Sequence, residues 1–112
     1  MVAPYVPSRG DIVWIDFSPT LGHEQGGRRP ALVLSRGSYN RPSRLMVACP
    51  ITTKVKNYPF EVPIKAGRID GVVLADQVKN LDWSVRPVRF ETKAQAGVVK
   101  RAQELIETLI KL

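Results

Sequence analysis

The chain has 112 residues, a length that suits a single domain spanning residues 1–112 with one modest core. Hydrophobic residues make up 44% and charged residues 24%, which excludes a disordered chain, and no apolar run reaches the ~18 residues that a membrane helix needs. Seventeen Lys and Arg residues against ten Asp and Glu residues give a net charge of +7. This charge favours an anionic partner, namely nucleic acid, an acidic protein or a membrane surface; a solvated basic surface without a partner is the alternative.

The first half of the chain predicts three β-strands separated by polar loops. Asp11–Phe17 is rich in β-branched and aromatic residues, Pro30–Leu34 is a continuous apolar run, and Leu45–Thr52 is apolar almost throughout. The glycine-rich stretch Leu21–Arg29 is a long exposed loop of the kind that often carries function in a small domain. Ser35–Arg44 reads as irregular, with room for one short helical turn.

Further strands are predicted in the second half. Phe60–Ile64 alternates between apolar and polar residues, as a half-buried strand does. Asp70-Gly71 predicts a turn before a strand at Val72–Ala75. One or two short strands are expected within Val78–Trp83 and Pro87–Phe90.

Only the end of the chain is helical in pattern. Apolar residues from Val98 to Ile110 recur at helical spacing and form one stripe, suited to core or dimer packing. Thr92 and Gln95 have the spacing of a capping box. Several short strands and one terminal helix predict a mainly β protein, a small antiparallel β-barrel with a C-terminal helix.

Residue types argue against several kinds of chemistry. The chain has one histidine and one cysteine, so no metal-ligand pair at suitable spacing exists, and neither a metal nor a cofactor is expected. Cys49 lies in an apolar run and is interpreted as a buried structural thiol in a protein of a reducing, cytoplasmic compartment. His23 lies in a polar loop, where a solvated histidine is commoner than a catalytic one.

The loop Gly22–Pro30 concentrates the remaining chemical groups. Arg29 precedes a proline, which restricts its backbone, and a guanidinium fixed beside a strand matches phosphate oxygens two at a time. On the residues alone, the alternative is a surface ion pair between Arg29 and Glu24. The residues leave both interpretations open.

The chain closely resembles the MazF/PemK toxin family. The resemblance covers nearly the whole chain in order, and no single segment carries it alone. The matching segments are Gly10–Thr20, Gly22, Glu24-Gln25, Gly27, Arg29-Pro30, Leu32–Ser35, Pro50–Thr53, Tyr58–Val62 and Asp70–Lys79.

The resemblance implies an SH3-like barrel of the kind shared with CcdB toxins, acting as a homodimer. Its implied activity is ribosome-independent, sequence-specific, metal-independent cleavage of single-stranded RNA, with an acidic MazE-like antitoxin as inhibitor. The catalytic residues of the family fall on Arg29 and Thr52, and its loop glutamate falls on Glu24. RNA supplies its own nucleophile, the 2′-hydroxyl, so a metal is unnecessary if the protein holds the phosphate and moves two protons.

The proton transfers and RNA contacts are assigned less directly. Glu24 is the better candidate for general base, or for orienting the ribose, because an arginine stays protonated, and His23 is ranked as a modifier. The RNA-binding residues, taken partly from the loops of the family and partly from the basic clusters, are predicted to be Arg28, Asn40, Lys54, Lys56, Tyr58, Gln77 and Lys79.

Two other functions compete with RNA cleavage. A toxin of the same fold that poisons gyrase would act through the terminal helix instead of Arg29 and Thr52. A non-enzymatic nucleic-acid-binding module fits the charge equally well but gives no reason for Glu24, whose charge opposes phosphate binding.

Overall fold

The structure is a computed structural model, and it describes residues 4–19 and 21–111. Thr20, the last residue of the first matching segment, lies outside the described residues. The elements in chain order are β1 (Asp11–Asp16), β2 (Arg28–Val33), α1 (Gly37–Ser43), β3 (Leu45–Thr52), β4 (Glu61–Ala66), β5 (Ile69–Leu74), a 3-10 turn (Ala75–Gln77), β6 (Lys79–Asp82), β7 (Arg89–Lys93) and α2 (Ala96–Ile110).

The strands form one antiparallel sheet in the order β4-β5-β3-β2-β1-β7, with β6 paired to β3. Strand β3 is central because it pairs with β2, with β6 through Leu45–Ala48, and with β5 through Ile51 and Thr52. This change of partner along β3 lets the sheet curl into a half-barrel. A mainly β fold with a C-terminal helix, as the sequence predicts, is confirmed.

Alternate residues of β1, β2 and β3 enter two different apolar clusters, one on each face of the sheet. Ile12 and Leu32 belong to the first cluster, whereas Val13 and Val33 belong to the second. Helix α2 covers the first cluster with the buried side chains of Val99, Ala102 and Leu105. The predicted helical stripe therefore serves the chain's own core, while Leu109 and Ile110 at its end remain exposed.

Cys49 is fully buried in the first cluster, as predicted. Burial raises the pKa of its thiol to about 12, and the nearby Asp76 carboxylate adds to the effect. The thiol is therefore protonated at neutral pH and does not act as a nucleophile.

Two local predictions are wrong. Asp70 and Gly71 lie inside β5, paired with Lys65 and Ile64 of β4, and the chain turns before them, between the two strands. The Thr92–Gln95 capping box does not form because Thr92 is part of β7, and Gln95 makes no side-chain capping bond. The irregular stretch after Ser35 contains the seven-residue helix α1, longer than the single turn expected.

None of the described helices is long and apolar enough to cross a membrane.

Candidate active site

Arg29 and Thr52 lie at adjacent ends of two paired strands. The antiparallel register of β2 and β3 joins Ala31 to Pro50. This is the last pair between the two strands, and Arg29 and Thr52 each lie two residues beyond it. The two residues predicted to be catalytic are thus brought together by strand pairing, although 23 positions separate them in the sequence.

Arg29 enters β2 from a turn that only a glycine adopts easily. Gly27 has φ of +75°, and its carbonyl accepts a hydrogen bond from the Phe17 N–H, which ties the loop to the end of β1. The Nε–H of Arg29 donates to the Gly26 carbonyl at 2.9 Å. The described residues form no hydrogen bond with its two Nη groups. One edge of the guanidinium is therefore fixed, and the Nη donors are free for a ligand.

Thr52 is the last residue of β3 and is 9% exposed. Its Oγ1 accepts a hydrogen bond from the Lys54 N–H at 3.2 Å. Because that contact uses an oxygen lone pair, the hydroxyl proton stays available for donation.

Gly71 of β5 packs directly against the backbone at Thr52. A Cβ atom built on Gly71 would stand 2.3 Å from the Thr52 carbonyl oxygen, closer than any real contact allows. Since the paired strands hold both segments in place, Gly71 is required there for space and fixes the position of Thr52.

Arg29, Thr52 and Lys54 border two cavities, each of about 580 Å³. We call the first the Tyr58 cavity; it is lined by His23, Gln25, Arg29, Thr52, Lys54, Lys56, Asn57, Tyr58, Pro59, Glu61, Leu74, Asp76 and Gln77. We call the second the Trp14 cavity; it is lined by Trp14, Arg28, Arg29, Pro30, Ile51, Thr52, Thr53, Lys54, Arg68, Ile69 and Asp70.

Glu24 does not line either of the two cavities. Its Oε2 lies 2.8 Å from the Lys79 Nζ, and its Oε1 accepts a hydrogen bond from the Leu21 N–H at 2.7 Å. The Lys79 ammonium and that backbone donor hold the pKa of the Glu24 carboxyl below its usual range. The alternative of an ion pair between Arg29 and Glu24 is therefore wrong, and the geometry gives Glu24 the position of a loop anchor.

Most of the predicted RNA-binding residues border the two cavities. Arg28 lines the Trp14 cavity, Lys56, Tyr58 and Gln77 line the Tyr58 cavity, and Lys54 lines both. Lys79 does not line either cavity and instead forms the ion pair with Glu24.

The burial of Asn40 contradicts its predicted role as an RNA-binding residue. Asn40 is fully buried in α1. Its amide group donates to the Pro7 and Ser35 carbonyls, and its Oδ1 accepts a hydrogen bond from the Ser35 hydroxyl at 2.6 Å. A side chain with no exposed surface and satisfied polar atoms joins segments of the fold and does not contact a ligand.

The carboxylates and amides of the Tyr58 cavity include groups that sequence reasoning missed. The Asp76 carboxylate raises the pKa of the nearby Tyr58 hydroxyl. Gln77 Oε1 accepts a hydrogen bond from the Gln25 N–H at 2.8 Å, joining the loop before β2 to the 3-10 turn. The signal for Asp76 was its place in the matching segment Asp70–Lys79; nothing in the sequence indicated its contact with Tyr58.

His23 lines the Tyr58 cavity together with Arg29 and Thr52. The sequence alone favoured a solvated histidine and did not predict this position. It is exposed in the loop before β2. Among the described residues, no three His, Cys, Asp or Glu side chains are grouped as metal ligands.

Comparison with known proteins identifies the family of the chain. A family model described as PemK-like, MazF-like toxin of type II toxin–antitoxin systems matches residues 8–110. The chain belongs to this toxin family.

Individual relatives of the family are similar over most of their length. The endoribonuclease toxin MazF of Escherichia coli K12 is 51% identical over 86 residues, which is 77% of this chain and 78% of the relative. The crystal structure of MazF from Deinococcus radiodurans superposes with a TM-score of 0.93 at 46% identity, covering 97% of this chain and all of the other. A MazE–MazF complex from the same organism gives a TM-score of 0.85 at 41% identity, covering 97% of this chain and 99% of the other.

Proposed function

We propose that the chain is the toxin of a type II toxin–antitoxin system and that it inhibits growth by cutting single-stranded RNA. Cleavage is sequence-specific, independent of the ribosome and independent of metal ions. The observation that carries the proposal is the placement of the free Nη donors of Arg29 and the hydroxyl of Thr52 at one site bordered by two cavities. Relatives that are named endoribonucleases support it.

The reaction is an internal transesterification. The 2′-oxygen attacks the adjacent phosphorus and the bond from phosphorus to the 5′-oxygen breaks. The 2′-hydroxyl proton leaves to a base, and the departing 5′-oxygen gains a proton. The products are a 2′,3′-cyclic phosphate and a 5′-hydroxyl, so DNA, which lacks the 2′-hydroxyl, is not a substrate.

Arg29 stabilises the charge that develops on the phosphorane. Its Nε is held by the Gly26 carbonyl, so the guanidinium is oriented before the substrate arrives. A preorganised donor of this kind contributes about 3 kcal/mol to transition-state stabilisation. Thr52 adds a second donor to the same phosphate because its oxygen is oriented by the Lys54 N–H.

The candidates for the proton transfers are two side chains of the loop before β2. Glu24 holds the loop through Lys79 and Leu21, and would have to leave both partners to act as a base. His23 lines the Tyr58 cavity, and histidine is the side chain that most often serves as a general acid or base. His23 assists the transfers without being required, because Arg29 and Thr52 supply most of the rate.

The same site and surface imply the partners. The net charge of +7 and the basic cavity walls suit an acidic antitoxin of the kind seen in complex with similar proteins. The exposed Leu109 and Ile110 at the end of α2 provide apolar surface for a homodimer. The cytoplasm is the location where such a protein meets cellular RNA. Gyrase poisoning is not favoured, since the family match and the cavities both point to RNA.

The test is incubation of the purified protein with a long RNA of mixed sequence in excess EDTA. Cleavage at a recurrent short sequence is expected, with cyclic phosphate and 5′-hydroxyl ends, while a DNA of the same sequence stays intact. Arg29→Ala protein, purified in parallel, controls for a contaminating nuclease. Activity that EDTA abolishes and magnesium restores would refute the mechanism.

A further inference from the structure

The two cavities meet at the residues that would hold the scissile phosphate. The three residues common to both are Arg29, Thr52 and Lys54. A phosphate bound by Arg29 and Thr52 therefore has a separate cavity on each side. In RNA, each phosphate likewise joins two nucleosides.

The two cavities differ in chemistry. The Tyr58 cavity contains amides and carboxylates, such as Gln77 and Asp76, that can read the edges of a base. Besides the shared Arg29, the Trp14 cavity contains an indole and two further arginines, Arg28 and Arg68, beside the carboxylate of Asp70. This second set suits a base packed on an aromatic side chain and a phosphate bound by guanidinium groups.

The walls of the Trp14 cavity are partly fixed and partly free. The Trp14 Nε1–H donates to Glu91 at 3.0 Å, and the Arg89 guanidinium lies 5.8 Å from the centre of the Trp14 ring. Arg68 is exposed in the turn between β4 and β5, and the described residues form no hydrogen bond or ion pair with its guanidinium. The aromatic wall is thus preorganised and a free cation stands at the rim.

We propose that the nucleosides flanking the scissile phosphate occupy different cavities, one in the Tyr58 cavity and the other against Trp14, and that Arg68 binds the next phosphate on the Trp14 side. This inference rests on the proposed ribonuclease function. It assigns Trp14 and Arg68 to substrate binding and makes them determinants of which bases are accepted on one side of the cut.

The experiment uses oligonucleotides built on the cleavage sequence found by mapping cuts in a long RNA. A 2′-deoxy nucleotide before the scissile phosphate prevents cleavage. Three probes are compared: one extending on both sides of that phosphate, one truncated on its 5′ side and one truncated on its 3′ side. Dissociation constants are measured for wild type, Arg68→Gln, Tyr58→Ala and Arg36→Gln. Arg36 is an exposed arginine at the start of α1 that lines neither cavity, so its variant controls for the loss of one positive charge.

Arg68→Gln is expected to weaken the full probe about tenfold, the size of one charged hydrogen-bond contact. It should weaken one truncated probe equally and leave the other unchanged, and Tyr58→Ala should show the opposite selectivity. Trp14 fluorescence gives a second readout. The probes whose affinity depends on Arg68 should quench the tryptophan fluorescence of the wild type but not that of Trp14→Phe. Equal weakening of all three probes by Arg68→Gln, or an effect no larger than that of Arg36→Gln, would overturn the inference.

Failure of this inference is distinguishable from failure of the proposed function. A protein that cuts RNA, loses cleavage on Arg29→Ala and shows no selective effect of Arg68→Gln refutes only the cavity assignment. A protein that does not cut the long RNA at all refutes the function itself.

Discussion

Arg29 and Thr52 each lie two residues beyond the last β2–β3 pair, and each is oriented by a backbone group close to it in sequence. The Gly26 carbonyl holds the Arg29 Nε, and the Lys54 N–H holds the Thr52 oxygen. Since a phosphate needs donors already aimed at its oxygens, this arrangement is the basis of the catalytic role proposed for the pair.

Removing either donor should therefore abolish most cleavage while leaving the fold intact. Arg29→Ala is expected to lower the cleavage rate by about 10²–10³-fold, the range for one lost donor to a developing charge. Thr52→Val, which keeps the shape and removes the hydroxyl, should lower it strongly, and Thr52→Ser should retain most activity. Rates are measured on a fluorogenic RNA and folding is checked by circular dichroism. Arg36→Ala serves as the matched arginine control, and an Arg29→Ala protein within tenfold of wild type would contradict the assignment.

His23→Ala tests the proton transfers separately. Because the site relies on phosphate stabilisation more than on the imidazole, we expect a loss of less than tenfold in rate. The measurement is the pH profile of cleavage between pH 5 and 9 for both proteins. A His23→Ala protein as inactive as Arg29→Ala would show that His23 is an essential acid or base.

A double-mutant cycle separates anchoring by Glu24 from catalysis by Glu24. If the Glu24–Lys79 ion pair anchors the loop, Glu24→Gln and Lys79→Gln should each raise the KM for RNA, and the double variant should be no worse than either single one. If Glu24 is the general base, Glu24→Gln alone should lower kcat by orders of magnitude.

The pH dependence of the Glu24–Lys79 ion pair follows from the direction in which the pKa of Glu24 is shifted. Lys79 lowers the pKa of Glu24 in the folded protein, so the carboxylate remains charged at neutral pH. The pair is lost only as the pH falls through that lowered pKa, below the ordinary value of about 4.3 for a glutamate. We therefore expect no change in the KM for RNA attributable to Glu24 between pH 6 and 8.

Gly71→Ala tests the backbone contact beneath Thr52. The added methyl would meet the Thr52 carbonyl at 2.3 Å, so the strands must shift. Overpacking of this kind costs about 1–3 kcal/mol of unfolding free energy, and the displaced Thr52 should also reduce cleavage. Gly97→Ala in α2 is the control, since nothing lies within 4 Å of its Cβ position and alanine favours a helix. Thermal unfolding of both variants gives the comparison; a Gly71→Ala protein as stable as wild type would contradict the argument.

The strands of this fold are predictable because their apolar patterns are local. The limits of Leu45–Thr52 agree with the structure to the residue, and those of the other first strands differ by one or two residues. Asp70-Gly71 has the sequence of a turn, but pairing with β4 keeps it extended. Its glycine is explained by the approach to Thr52, which is a tertiary contact that no local pattern reveals.

The candidate site was predictable only in part, because its contacts join residues that are far apart in the sequence. Arg29 and Thr52 could be assigned through resemblance, but their proximity depends on strand register. Asn40 has the residue type of an RNA-binding side chain, and only its burial shows its structural role. The Glu24–Lys79 pair joins residues 55 positions apart, so nothing near Glu24 in the sequence indicated its partner.

The last prediction concerns inhibition by the antitoxin. The rims of the two cavities carry Arg28, Lys54, Lys56 and Arg68, so an acidic, flexible antitoxin segment can occupy the path proposed for the RNA backbone. Such a segment loses conformational freedom on binding, and many charge contacts together with a few apolar anchors offset that cost. Trp14 is the anchor point expected in the Trp14 cavity, whereas Trp83 is held by the Asn40 carbonyl and the nearby Arg44.

If antitoxin and RNA share this path, each excludes the other, and salt weakens both because counterions must be displaced from the same basic groups. The test is a competition titration with a non-cleavable RNA at two salt concentrations. The antitoxin should displace the RNA completely, and both dissociation constants should rise with salt. Arg68→Gln should weaken both ligands, and the Arg36→Gln control should weaken both less. A ternary complex of toxin, antitoxin and RNA, or inhibition that does not change with salt, would show that the antitoxin acts from another surface.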